Sequence, residues 1–273
     1  MEKQKSNKFS VVYILLVILF CYLPIVSLMV FSFNSDNSLT NWGSFSFKWY
    51  IELFSAKNYK IQIAIYNTIL IAVLATIISV IIGTIAAIAL SKSRRIIRDT
   101  ILSFSNIPIL NPEIVTAVAL LILFTSFQIE LGYLTLLLSH VAFCTPYVII
   151  TVYPKLRQLD PNLIDAAQDL GASPFMAVRK VILPQIKFAV LSGAFIAFTM
   201  SFDDFVISYF TTSSGVENIS IYLYTLRPTK LTPMINALST IIIVIIGLGI
   251  TGYTLLDIFM DKRRNKLNEE NNH

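Results

Sequence analysis

Charge is scarce in this chain. Only 14% of its 273 residues are Asp, Glu, Lys or Arg, against 55% hydrophobic, and the mean hydropathy is +0.71. A soluble domain carries about 25% charged residues, so this chain has too few to coat a globule in water. Lipid is the solvent expected around much of it. Cysteine is scarce too. Cys21 and Cys144 both lie in apolar runs and imply neither a disulfide framework nor a Cys/His metal site. The two histidines are His140, in an apolar run, and the final residue His273. A lone His on an apolar helix reads as a hydrogen-bonded core residue rather than a ligand. No Gly-x4-Gly-Lys-Ser/Thr run occurs, so the chain is not itself an ATPase. His-Glu-x-x-His and Ser/Lys catalytic patterns are missing as well, and neither an enzyme nor a cofactor is expected.

What the chain has is apolar length. A transmembrane helix needs roughly 20 mostly apolar residues. Spans are expected at residues 9–33, 63–90, 100–127, 131–152, 188–210 and 234–259. The first follows Lys3, Lys5 and Lys8, as a signal peptide would, but its apolar stretch exceeds a signal core and lacks a small-residue cleavage site. It is read as a retained helix. The third contains Ile107-Pro108 and Asn111-Pro112-Glu113, so it is expected as one crossing with an interruption. Such breaks survive at membrane depth where the backbone faces protein or a water-filled cavity. The expected fold is all-α, one polytopic membrane domain over residues 1–273 with six transmembrane helices.

Basic residues orient these spans, because cytoplasmic loops collect Lys and Arg. One side holds sixteen: Lys3, Lys5, Lys8; Lys92, Arg94, Arg95, Arg98; Lys155, Arg157, Arg179, Lys180, Lys187; and Lys262, Arg263, Arg264, Lys266. The other holds five: Lys48, Lys57, Lys60, Arg227 and Lys230. Both termini are therefore expected in the cytoplasm. The net charge of +5 follows from this bias and does not point to nucleic acid, since the charges are scattered beside the spans.

The longest cytoplasmic loop, residues 153–187, reads as two short helices. Asp160 and Pro161 open the first and Gly171 closes it; Ser173 and Pro174 open the second and Pro184 stops it. Phe175, Val178, Val181 and Ile182 give the second an apolar face with nothing of its own to bury it. A docking element for another protein and a helix lying on the bilayer both fit that pattern.

The run DAAQDLGASPFMAVRKVILP, Asp165 to Pro184, closely resembles the signature loop of importer-type ABC permeases. That pattern is Glu-Ala-Ala, three residues, Gly, nine residues, Ile, one residue, Leu-Pro. Here Asp165, Ala166, Ala167, Gly171, Val181, Leu183 and Pro184 stand at those spacings, with Asp for Glu and Val for Ile as mild departures. The resemblance implies the type I importer permease fold and an ATPase-coupling role for Asp165, Ala166, Ala167, Gly171, Ala172, Leu183 and Pro184. In such permeases the loop enters a groove on a cytosolic ATPase. Small Ala166 and Ala167 permit close contact, and Gly171 supplies a left-handed turn.

Acid inside the membrane points to the cargo. Asp203 and Asp204 lie about 16 residues beyond Lys187, roughly 24 Å of helix, in the outer half of the bilayer. A charge there costs about 2.5–3.5 kcal/mol unless it meets water or a partner. On a continuous helix Ser201, Asp204 and Ser208 form one polar stripe, with Asp203 about 100° away. One carboxylate then lines a pathway and the other braces a neighbour. Glu113, in the break of the third span, has two readings: a pathway acid, or a first-turn residue favoured by the helix dipole behind an Asn111 N-cap. Asp203, Asp204 and Glu113, without Lys or Arg in the spans, argue for a cationic cargo, and a polyamine matches several separated acids. Trp49, with Trp42 and their aromatic neighbours, reads either as an interfacial belt or as a face for ammonium groups.

SFDDFVISYFTT, INALST at Ile235 to Thr240, and SFN at Ser32 to Asn34 look like the C-type permease of the spermidine/putrescine importer family. That resemblance implies a homologous second permease subunit, a dimer of cytosolic ATPases, an extracytoplasmic polyamine-binding protein and a place in the bacterial inner membrane. It implies a substrate pathway through Trp49, Glu113, Asp203 and Asp204, to which the polar stripe adds Ser201. The alternatives are an importer for another cation, such as iron(III) or thiamine, and an independent channel or ion-coupled transporter.

Overall fold

A computed structural model describes residues 8–213, 215–226 and 232–270, with side chains for 11–213, 215–226, 232–249 and 251–252. Twelve α-helices run along these residues: α1 Lys8–Phe31, α2 Lys48–Leu53, α3 Tyr59–Lys92, α4 Arg95–Leu110, α5 Glu113–Ser126, α6 Tyr133–Arg157, α7 Leu163–Asp169, α8 Pro174–Ala177, α9 Leu183–Phe202, α10 Val206–Thr211, α11 Ile219–Thr225 and α12 Pro233–Glu270. No strand forms among the described residues; Asn34 and Phe45 make an isolated bridge. Four helical stretches are long and apolar enough to cross a membrane: Val11–Phe31, Ala56–Lys92, Tyr133–Arg157 and Pro174–Phe202. The α4–α5 pair, bent by 107°, makes a fifth when read as one broken span, and Pro233–Gly249 is a shorter apolar stretch.

The chain divides into two compact units, Met1–Tyr59 with Leu226–His273, and Lys60–Thr225. In the first, α1 is apolar on every side and its residues 11–27 are exposed, which suits a helix bathed in lipid. The loop after it folds around Asn34, which is fully buried. The Asn34 amide donates to the carbonyls of Ser38 at 3.0 Å and Asn41 at 2.7 Å, and its Oδ1 accepts from the backbone of Asp36 at 3.2 Å and Gly43 at 2.8 Å. Four bonds satisfy the whole amide, so the loop has a fixed shape without regular structure.

In the second unit α6 is the central post. Val148 and Val152 on α6 are fully buried among Ala87 of α3, Ala117 of α5 and Ile186 and Ala197 of α9. A Cβ at Gly83 would come within 2.7 Å of Val148 Cβ, so glycine there lets α3 approach α6 closely, as helices in lipid require for van der Waals packing.

The segment 153–187, expected in the cytoplasm, differs from the two separate helices expected. Asp160 forms a turn, accepting the Asn162 N–H at 2.9 Å, and α7 begins only at Leu163. Gly171 closes α7 at φ +85°, with its N–H on Gln168 O at 2.8 Å and the Ala172 N–H on Ala167 O at 3.0 Å. Ser173 Oγ caps α8 by accepting the Met176 N–H at 3.3 Å, with Pro174 at the first helical position. Pro184 is no stop. A π-helical turn over Val178–Ile182 joins α8 to α9, with the Leu183 N–H on Val178 O. The wider turn relieves the clash and the missing donor that a proline brings to a regular helix. The helix therefore runs from Pro174 into the membrane-crossing stretch.

Candidate functional site

The expected span 188–210 is broken. Helix α9 ends at Phe202, Asp203 to Phe205 are not helical, and α10 restarts at Val206. Asp204 sits at the break, 7% exposed. Its Oδ1 accepts the Ile207 N–H at 3.2 Å; its Oδ2 accepts the Ser208 N–H at 2.7 Å and the Ser208 hydroxyl at 2.8 Å. The carboxylate thus caps the freed amides of α10, where a negative charge is favoured.

His140 on α6 reaches both sides of the break. Its Nδ1 lies 2.6 Å from Ser201 Oγ at the end of α9, and its Nε2 lies 3.0 Å from Ser208 Oγ and 3.5 Å from Asp204 Oδ2. Ser208 gives its one hydroxyl proton to Asp204 and accepts from the Asn218 amide at 2.8 Å, so toward His140 it must accept again. Nε2 therefore donates toward Ser208, and Nδ1 pairs with the Ser201 hydroxyl. Asn218 also donates to Asp204 O at 3.1 Å, and its Oδ1 caps α11 through the Ile221 N–H at 2.9 Å. Thr68 of α3 accepts the Ile219 N–H at 2.8 Å, and the Asn67 amide donates to Glu217 O at 2.9 Å. Three side chains that share a stripe by sequence spacing, Ser201, Asp204 and Ser208, do meet, but buried on His140.

Asp204 and Ser201, both expected on the pathway, are buried, and their polar atoms are committed to the network. Asp203 is exposed. At the other break α4 ends at Leu110, Asn111 takes ψ 145° and Pro112 stands at the N-cap position of α5 without a side-chain cap, so Asn111 is not the cap expected of it. Glu113, the first residue of α5, is exposed. Ala117 of α5 and Ile207 of α10 lie in one buried cluster, and α5 packs against α10, so the helices that follow the two breaks are neighbours.

Trp49 belongs to the first unit and is 3% exposed. Its indole N–H donates to Asn34 O at 2.6 Å, and Lys48 Nζ stands 4.5 Å from its ring centroid. It anchors the Asn34 loop rather than offering a free aromatic face. Of the loop residues, Asp165, Ala166, Gly171 and Pro184 are exposed, Ala172 and Leu183 are half-buried and Ala167 is buried. Leu170 and Phe175, either side of Gly171, are 90% and 75% exposed. Leu170 carried no sequence signal. His140 is the hydrogen-bonded core residue expected, but its partners, more than 60 residues along the chain, were not legible, and Asn218 gave no sign of its role.

A family described as the binding-protein-dependent transport system inner membrane component matches residues 79–266. The chain is 40% identical, over 83% of its length and 87% of the relative's, to the spermidine/putrescine transport system permease protein PotC of Haemophilus influenzae. It is 34% identical, over 89% and 88%, to the putrescine transport system permease protein PotI of Escherichia coli. Its fold matches a chain from the crystal structure of a bacterial ABC transporter involved in the import of the acidic polysaccharide alginate. The TM-score is 0.69, the identity 18%, and the coverage 94% of this chain and 98% of that one.

Proposed function

Because this chain belongs to the family of binding-protein-dependent transport system inner membrane components, we propose that it is the membrane permease of an ATP-driven importer of polyamines. The observation that carries the substrate is the 40% identity to a spermidine/putrescine permease. Chemistry supports it. Asp203 and Glu113 are exposed carboxylates at two helix breaks, and the helices that follow those breaks pack together. Separated acids beside unwound backbone suit a cargo carrying separated ammonium groups, and broken backbone at membrane depth is tolerated where it lines an aqueous path.

The whole chain acts as one permease domain of six spans, with Pro233–Gly249 opening the last and both termini in the cytoplasm of a bacterial cell. A homologous permease completes the pathway, an extracytoplasmic binding protein delivers the polyamine, and a pair of cytosolic ATPases drives it. Ala166, Leu170 and Phe175 offer exposed apolar surface around the Gly171 turn for that ATPase. Because α8 continues through the π turn into α9, a push on this turn is passed along one helix toward the Asp203 break.

The test is uptake of labelled spermidine and putrescine in cells lacking the chain, complemented with wild type, Asp203→Asn or Gly171→Val. Wild type restores uptake; Gly171→Val reaches the membrane and fails, and Asp203→Asn reaches it and takes up polyamine only at raised concentration. Unchanged polyamine uptake on deletion overturns the substrate. A Gly171→Val chain that transports normally overturns the coupling role.

A further inference from the structure

We propose that His140 is a positioning residue: through Ser208 and Asp204 it fixes the α9–α10 break and thereby sets where Asp203 stands. The inference rests on the pathway reading of Asp203. His140 is 1% exposed and lies on α6, the post of the unit, so it is a fixed point against which α9 and α10 are set. Its two ring nitrogens hold the last turn of α9 at 2.6 Å and the first turn of α10 at 3.0 Å. Only Asp203 to Phe205 lie between those turns outside both helices, with the Asp203 N–H still on Thr199 O at 3.3 Å and Phe205 O accepting the Tyr209 N–H at 2.9 Å. Asp204 is bound on both oxygens and on its carbonyl, so the residue next to Asp203 has no freedom of its own. A clamp on both sides and a bound neighbour leave Asp203 one place to stand. A water-filled pathway has no need of a buried imidazole at this point, but a carboxylate that must meet a cation in register does.

Two substitutions separate this role from plain packing. His140→Gln keeps one donor and one acceptor in the plane of the imidazole; His140→Leu keeps bulk and removes both. The readout is the labelling rate of Asp203→Cys by a membrane-impermeant maleimide, in full-length chains co-expressed with their transporter partners. Exposed Cys21 is replaced by Ser, and buried Cys144 is retained. Asn37→Cys, exposed in the other unit, is the control. His140→Leu shifts the rate at position 203 about ten-fold, the scale set by a lost buried hydrogen bond. His140→Gln restores it to within about two-fold, and the Asn37→Cys rate does not move. An unchanged rate in His140→Leu, or a His140→Gln chain no better than His140→Leu, overturns the proposal. If His140→Leu does not reach the membrane, Ser208→Ala cuts the same link and the same two rates decide.

A second arm measures the KM for spermidine. His140→Leu raises it, and adding His140→Leu to Asp203→Asn raises it no further, because both act at one site. Additive effects contradict positioning. If labelling responds as stated while the wild-type chain takes up no polyamine, His140 positions Asp203 and the substrate reading alone falls.

Discussion

The second unit interrupts two helical stretches, and it does so by opposite means. Between α4 and α5 the break is made by covalent structure. Pro108 lies within α4, Pro112 stands before α5, and the bend of 107° leaves Asn111 and Glu113 exposed without a side-chain cap. Between α9 and α10 no proline is present. That break is held by hydrogen bonds from Asp204, Ser208, Asn218 and His140, nearly all of them buried. A proline break is written into the local chain and survives loss of its neighbours. A hydrogen-bonded break exists only while distant residues satisfy it, so one lost partner leaves several buried groups unpaired.

The two kinds of break should therefore respond with opposite signs. Asp204→Ala strips the acceptors of three donors and leaves His140 and Ser208 short of partners. It is expected to lower stability in detergent by about 3 kcal/mol and to reduce the amount in the membrane. Thermal unfolding of the purified chain checks this; an unaltered melting temperature would show that the network is dispensable. Pro108→Ala, by contrast, restores a helical donor and removes a ring clash, and should raise stability by about 1 kcal/mol. Its uptake rate should fall, because the bend that presents Glu113 is weakened. A Pro108→Ala chain that melts lower would end the contrast between the two breaks. Smallest in stability are Asp203→Asn and Glu113→Gln, each within about 0.5 kcal/mol of wild type because both groups are exposed. Their effect belongs in the KM for polyamine, raised about ten-fold as a charge-assisted contact is weakened. If either variant loses stability and keeps its KM, the acid is structural.

This contrast also explains how far the sequence could be read. Apolar length located α1, α3 and α6, whose signal is local. The α4–α5 break was legible because proline and asparagine act on their own neighbours. The α9–α10 break was not. Ser201, Asp204 and Ser208 recur at helical spacing, so a continuous helix fits them, and the groups that end that helix come from residue 140 on α6 and residue 218 beyond α10. Pro184 misled in the other direction: a π turn accommodated a residue that stops a regular helix. Trp49 read either as an interfacial ring or as a face for ammonium groups, yet the loop around Asn34 buries it, and no periodic signal marks a loop closed by one side-chain amide. The signature loop was legible because its spacing is long, but the exposure of Leu170 beside Gly171 needed the turn itself.

The most direct measurement is accumulation of radiolabelled spermidine in proteoliposomes holding this chain with its partner permease and ATPase, and supplied with a polyamine-binding protein. Accumulation that requires ATP, persists when ion gradients are collapsed and disappears with Gly171→Val is the predicted result. Accumulation driven by an ion gradient in the absence of the ATPase would contradict the account, and would make the chain a transporter in its own right.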